Sequence, residues 1–162
     1  MRRETKPRFS YPAEKSVGHQ LRAANRAFQR DLQERIQPFG ITNGMWWFLR
    51  PLWEEDGLSQ RELSEKAGTT EPTTVTAVHA MEKRGLVVRV RDRSDRRKSN
   101  IFLTRSARAL RERILPCARE VNQAAAQGIP AAEIKAFVRT LAKMRANLAA
   151  AGARRAERKG KP

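Results

Sequence analysis

Apolar residues recur at spacings of three and four at Val17, Leu21, Ala24, Phe28, Leu32 and Ile36, the period of an amphipathic helix, and Pro38 and Gly40 end the run. A second helix, capped by Thr42 or Asn43 and closed by Gly57, carries Trp46, Leu49, Leu52 and Trp53 on one face. Pro51 removes a backbone donor from it and is expected to kink or loosen it. The stretch SQRE at 59–62 reads as a capping box, in which Ser59 caps a short helix and Glu62 reaches back. That helix turns Leu63 and Ala67 inward and stops at Gly68. Thr69 or Thr70 caps the next helix, Pro72 sits in its tolerant first turn, and Thr74, Ala77, Val78 and Met81 form its inward face up to Gly85.

The periodicity then changes. Two strands, 86–91 and 100–103, flank a polar tip. Thr104 caps a long helix to about Gln127, broken or bent at Pro116. Pro130 opens a last helix to about Ala150, with Ile134, Phe137, Val138, Leu141, Met144 and Leu148 on one stripe. Residues 1–15 contain Pro7 and Pro12 without periodicity and read as a flexible basic arm; residues 151–162 read as a basic, disordered tail. No internal repeat is visible.

Composition sharpens this mainly α pattern with a small β-wing. The 162-residue chain carries 34 Lys plus Arg against 17 acids, a net charge of +17. Such an excess implies an anionic partner, nucleic acid before an anionic membrane. No apolar run reaches the roughly 18 residues of a spanning helix, and the N-terminus lacks the apolar core of a secretory signal. Cys117 is the sole cysteine, which excludes an intrachain disulfide and a cysteine zinc cluster and fits a reducing cytoplasm. No nucleophile–His–acid set, phosphate loop or metal cluster is present, and His19 and His79 are the only histidines, so neither an enzyme nor a cofactor is expected.

The charge is concentrated where the strands turn. Seven of the fifteen residues 84–98 are Lys or Arg and two are acidic. A β-ribbon needs no such tip, whereas a finger entering a polyanion groove does. The two preceding helices have helix-turn-helix spacing, in which the second helix lies in the major groove. Its outward residues are Thr73, Val75, Thr76, His79 and Ala80, with Lys83 and Arg84 at its end. Hydroxyls can bond base edges or phosphates, and the valine and threonine methyls can meet thymine methyls. Ser59, Gln60 and Thr70, at the two helix starts, complete the candidate DNA contacts, with Arg93, Asp95, Arg96, Arg97 and Lys98 in the wing. Arg97 is the candidate for a narrow minor groove, held extended by Asp95. Taken singly, the helix pair is a common length pattern and the hairpin an ordinary solvated turn; in this order they make a winged helix-turn-helix.

The segments QRELSEKAG, PTTVTAVHAMEKRGLVVR and DRRKSNIFLT, and above all the Asp95-x-Arg97 wing followed by Leu103 and Thr104, resemble the MarR family of bacterial transcriptional regulators over about residues 17–150. The chain departs from the family pattern at Pro51, at Thr76, where many members place an arginine, and at Ala107, where a glycine often opens the fifth helix. The resemblance implies a homodimer whose parts 16–40 and 104–150 interlock as a helical dimerisation lobe. The part 41–103 would read double-stranded DNA as half-sites of a near-palindrome. It implies a cytoplasmic, nucleoid-associated bacterial repressor, with an architectural or non-specific DNA-binding protein as the alternative. It also implies a small aromatic carboxylate or phenolic effector between the lobes. Trp46 and Trp47 could supply the stacking face and His19, Arg22 and Arg26 the cationic side, with binding that varies between pH 6 and 7 if His19 lines the site. The plainer alternative is that Trp47 packs against helix one or five, the arginines form a wet face and His19 is structural. Cys117 could be a redox sensor, but its position favours an inert thiol.

Overall fold

The computed structural model describes residues 12–91 and 99–159. It contains six α-helices and a three-stranded sheet among those residues: α1 Val17–Ile36, α2 Asn43–Glu54, β1 Leu58–Ser59, α3 Gln60–Ala67, α4 Glu71–Lys83, β2 Val87–Arg91, β3 Ser99–Leu103, α5 Arg105–Ala125 and α6 Ala131–Lys159. This is a winged helix-turn-helix with additional long helices. The chain divides into two compact units, one reaching to Val121 and one beginning at Asn122.

Each helix of the first unit starts where the sequence offers a cap. The Thr42 hydroxyl accepts from the Met45 amide at 3.3 Å at the head of α2. α2 runs unbroken through Pro51 to Glu54. The proline sits in the last turn, so it removes only the amide that would reach the Trp47 carbonyl, and that residue faces water. α5 likewise runs unbroken through Pro116. Ala13–Lys15 forms one 3-10 turn ahead of α1, inside the segment read as a flexible arm. The Gln20 amide nitrogen ties this turn to α1 through the Glu14 carbonyl, at 3.1 Å.

The sheet has the order β1-β3-β2, antiparallel throughout, with Leu58 opposite Ile101, and Val87 opposite Leu103. β1 is absent from the sequence reading, because two residues are too few for any alternation to register. Gly57 precedes it at φ 79°, and a side chain there would place Cβ 2.6 Å from the Phe102 ring. Glycine is therefore required twice over, by the left-handed backbone and by the aromatic ring against it.

The core is continuous within the first unit. Ile36 of α1, Leu49 and Leu52 of α2, Leu63 of α3, Val78 and Met81 of α4, Val87 and Ile101 of the sheet and Ile114 of α5 are each no more than 1% exposed. Arg35 bridges α1 and α5 at its edge, 3.1 Å from Asp31 and 2.6 Å from Glu120. The hydrogen bond to Asp31, then the attraction of both carboxylates, holds its guanidinium above the ordinary arginine pKa.

α6 is the second unit's long element. It continues to Lys159, through residues read as a disordered tail. The apolar stripe ends near Leu148, but the residues beyond it are mostly Ala, Arg, Glu and Lys, all strong helix formers. They outweigh the roughly 1 kcal/mol cost of Gly152. No described α6 side chain is buried; Phe137, Val138 and Leu148 are 55%, 59% and 69% exposed.

Candidate nucleic-acid interface

The capping box at the head of α3 is complete: the Ser59 hydroxyl accepts from the Glu62 amide at 3.3 Å, and the Glu62 carboxylate accepts from the Ser59 amide at 2.8 Å. Gly68, at φ 66°, ends α3 in the left-handed conformation that a tight exit demands. Thr70 then starts α4 as its N-cap residue. The angle between the two helices is held by a feature the sequence reading missed. Ser64 and Thr74, 3% and 0% exposed, meet hydroxyl to hydroxyl at 2.7 Å. The pair is also tied to the Gln60 and Thr70 carbonyls, at 2.8 and 3.2 Å. Both hydroxyls of this buried pair are thus satisfied, and a shift of α4 against α3 would break the bond between them and leave each only the carbonyl four residues before it. The serine had no pattern to mark it, since a polar residue on a short helix reads as surface.

α4 turns Thr74, Val78 and Met81 into the core and Thr73, Val75, Thr76, His79 and Ala80 outward. Thr70 Oγ1 and Thr73 Oγ1 bond each other at 2.9 Å, and Thr76 Oγ1 donates to the Pro72 carbonyl at 3.2 Å. Ser59 and Gln60 are half-buried and Thr70 exposed, at the heads of their helices. Lys83 is exposed at the end of α4. Arg84 is engaged elsewhere: its guanidinium donates to the Gly40 carbonyl and lies 4.0 Å from Met45 Sδ, bracing the turn between α1 and α2.

β2 and β3 carry the wing. Arg89 of β2 pairs with Glu82 of α4 at 3.0 Å and so fixes the ribbon against the outward-facing helix. The tip residues Arg93, Asp95, Arg96, Arg97 and Lys98 lie outside the described residues. The ribbon's base is tightly joined. Thr104 donates to the Gly85 carbonyl at 2.7 Å. Asp56, also missed in the sequence, accepts from the Leu103 amide at 2.8 Å and the Gly57 amide at 3.1 Å, and pairs with Arg108 at 2.8 Å. One carboxylate therefore joins the exits of α2 and β3 to the first turn of α5.

The candidate effector residues differ in exposure. Trp46 is 3% exposed and stacks edge-on with Trp53 at 6.0 Å, with Arg50 over its ring at 5.6 Å. Its place on the core stripe makes it a packing residue. Trp47 is 44% exposed, off that core. His19, Arg22 and Arg26 are exposed on α1. Arg22 and Arg26 fall at helical spacing with Gln29 and Gln33, which meet the start of α2 through the Gln29 backbone carbonyl and the Gln33 side-chain amide. Asn43 donates its side-chain amide to the Gln29 carbonyl at 2.6 Å and its backbone amide to Gln33 Oε1 at 2.8 Å. Trp47 lies one turn beyond Asn43 on α2. A cavity of about 330 Å³ lies elsewhere in the unit, lined by Leu52, Trp53, Leu103, Arg108 and neighbours; none of the five candidate residues lines it. Half-buried Cys117 donates through Sγ to the Arg113 carbonyl at 3.5 Å.

Residues 41–99 match the sequence model of the MarR family. The HTH-type transcriptional repressor NicR of Pseudomonas putida is 30% identical over 134 residues, 83% of this chain and 85% of its own length. The HTH-type transcriptional regulator TtmR of Methylorubrum extorquens is 35% identical over 89 residues; the match takes in 55% of this chain and only 46% of that regulator. Among solved structures, BpsR of Bordetella bronchiseptica, whose DNA binding is regulated by 6-hydroxynicotinic acid, superposes with a TM-score of 0.78 at 28% identity, covering 85% of this chain and 98% of its own.

Proposed function

The chain belongs to the MarR family of DNA-binding transcriptional regulators, and on that premise we propose that it is a cytoplasmic homodimeric repressor, released from a near-palindromic operator by a small aromatic or phenolic acid. The observation that carries the reading is α4 itself: a helix locked to α3 by a buried hydroxyl pair, with an outward face beside a ribbon in a chain of charge +17. Helix and wing then meet neighbouring grooves. The uncharged helix face specifies sequence, while Lys83, Arg91 and the wing-tip cations, Arg97 foremost, supply phosphate and minor-groove attraction.

Dimerisation is favoured by α6, whose exposed Phe137, Val138 and Leu148 would otherwise stay in water. The effector is supported by BpsR and its 6-hydroxynicotinic acid, and by the exposed Trp47 beside the polar start of α2. An indole face suits a flat aromatic ring, and the exposed Arg22 and Arg26 of α1 are the candidates to hold its acid group.

Selection of bound duplexes from a random pool tests the whole reading. A site-specific dimer returns two inverted half-sites about one helical turn apart. Equal affinity for matched and scrambled duplexes across a salt titration would establish the architectural alternative instead. Repeating the binding with a panel of aromatic acids, 6-hydroxynicotinic acid included, identifies the releasing class. Trp47→Ala is expected to retain DNA binding and lose release by that acid. Undiminished release would remove Trp47 from the effector site.

A further inference from the structure

We infer that α4 reads its half-site through thymine 5-methyl groups, and that Val75 is the residue that seats them. The inference rests on the proposal that α4 enters the major groove and adds what it recognises there.

The outward face of α4 is poor in the groups that read other bases. Guanine is usually read by a bidentate Arg or Lys and adenine by Asn or Gln. From Glu71 to Ala80 the helix has none of the four. Thr hydroxyls could substitute, but most of their donor protons are already engaged. Thr76 donates to the Pro72 carbonyl, Thr70 and Thr73 bond each other, and Thr74 is buried against Ser64. With the oxygens tied back to the helix, the face offers carbon: the two methyls of Val75, the γ-methyls of Thr73 and Thr76, and Ala80. His79, one turn after Val75, is its one ring donor and acceptor.

Val75 is the centre of that carbon. It is 40% exposed, on a helix whose other large aliphatic residues, Val78 and Met81, are fully buried. A lone surface valine needs no explanation by itself. This one stands in the middle of the surface that must meet base edges, with Thr73 and Thr76 beside it, His79 one turn after it and the acid Glu71 one turn before it. The only apolar projection in the major groove is the thymine 5-methyl. Against a G·C pair, Val75 would cover polar groups without replacing their hydrogen bonds to water; against thymine it removes two apolar surfaces from water together. The half-sites therefore contain thymine opposite Val75, and specificity there comes from a methyl contact.

Deoxyuridine tests this, because it differs from thymidine only in lacking the 5-methyl. Each thymine of the duplex selected from the random pool is replaced singly by deoxyuridine, and affinity is measured by fluorescence anisotropy at fixed salt. One or two adjacent positions per half-site are expected to lose about four-fold, the effect of one buried methyl-sized group. In Val75→Ala the same replacements should cost nothing, since the partner methyls are gone. Val75→Thr, which keeps one methyl and the volume, should retain part of the loss. Wild-type tolerance of deoxyuridine at every thymine overturns the inference and leaves the repressor reading standing. A penalty that survives in Val75→Ala removes Val75 as the seat. A pool that returns no motif overturns both.

Discussion

The helix-turn-helix lobe and α6 are both regular helical structure, yet they treat their apolar residues in opposite ways. α3 has eight residues and fully buries Leu63; α6 has 29 and buries no described side chain. The short helix owes its existence to packing and a capping box. The long one rests on alanine-rich propensity and keeps its apolar stripe for something other than its own core. One region buries its apolar residues within this chain and the other leaves them exposed.

The contrast can be broken at either end. Leu63→Ala opens a cavity beneath the lobe and is expected to cost about 2–5 kcal/mol, measured by denaturant unfolding. A loss below about 1 kcal/mol would mean the lobe is not packed as described. Phe137→Asp places a charge on the α6 stripe. It is expected to weaken self-association by about thirty-fold or more in sedimentation, without lowering the stability of the lobe. If the lobe itself unfolds, α6 is part of its core and the comparison fails. The smallest effect sharpens the picture inside the lobe. Ser64→Ala is expected to cost about 1 kcal/mol, and the loss on adding Thr74→Val should fall short of the sum of the single losses, because the two hydroxyls satisfy each other. Strict additivity would show that the pair does not act as a unit.

Most of the fold was legible because its signals are local. Thr42, Ser59, Thr70 and Gly68 stand where the caps and stops fall, and the inward faces of α2 to α4 largely follow from residue spacing, whereas of the α1 stripe only Leu32 and Ile36 are buried and Val17, Leu21, Ala24 and Phe28 are exposed. What escaped depends on partners distant in the chain. β1 exists only because Leu58 finds Ile101. Ser64 and Asp56 look like surface residues until Thr74, Leu103 and Arg108 are brought beside them. Arg84 was read as a DNA contact by its place at the end of α4, and its bond to the Gly40 carbonyl is visible only in the folded turn. Trp46 and Trp47 divided correctly by helical angle, but angle does not say which of them a ligand could reach. The extent of α6 was misjudged because the end of its stripe was taken for the end of the helix.

The joint at Asp56 has a mechanical consequence. β3 passes into α5 through Thr104 alone, and that residue is itself fastened to Gly85, so the connection has no slack. With the same carboxylate gripping Leu103, Gly57 and Arg108, the ribbon, the exit of α2 and the root of α5 behave as the arms of one lever. A displacement of the ribbon would therefore strain the same carboxylate that holds the root of α5.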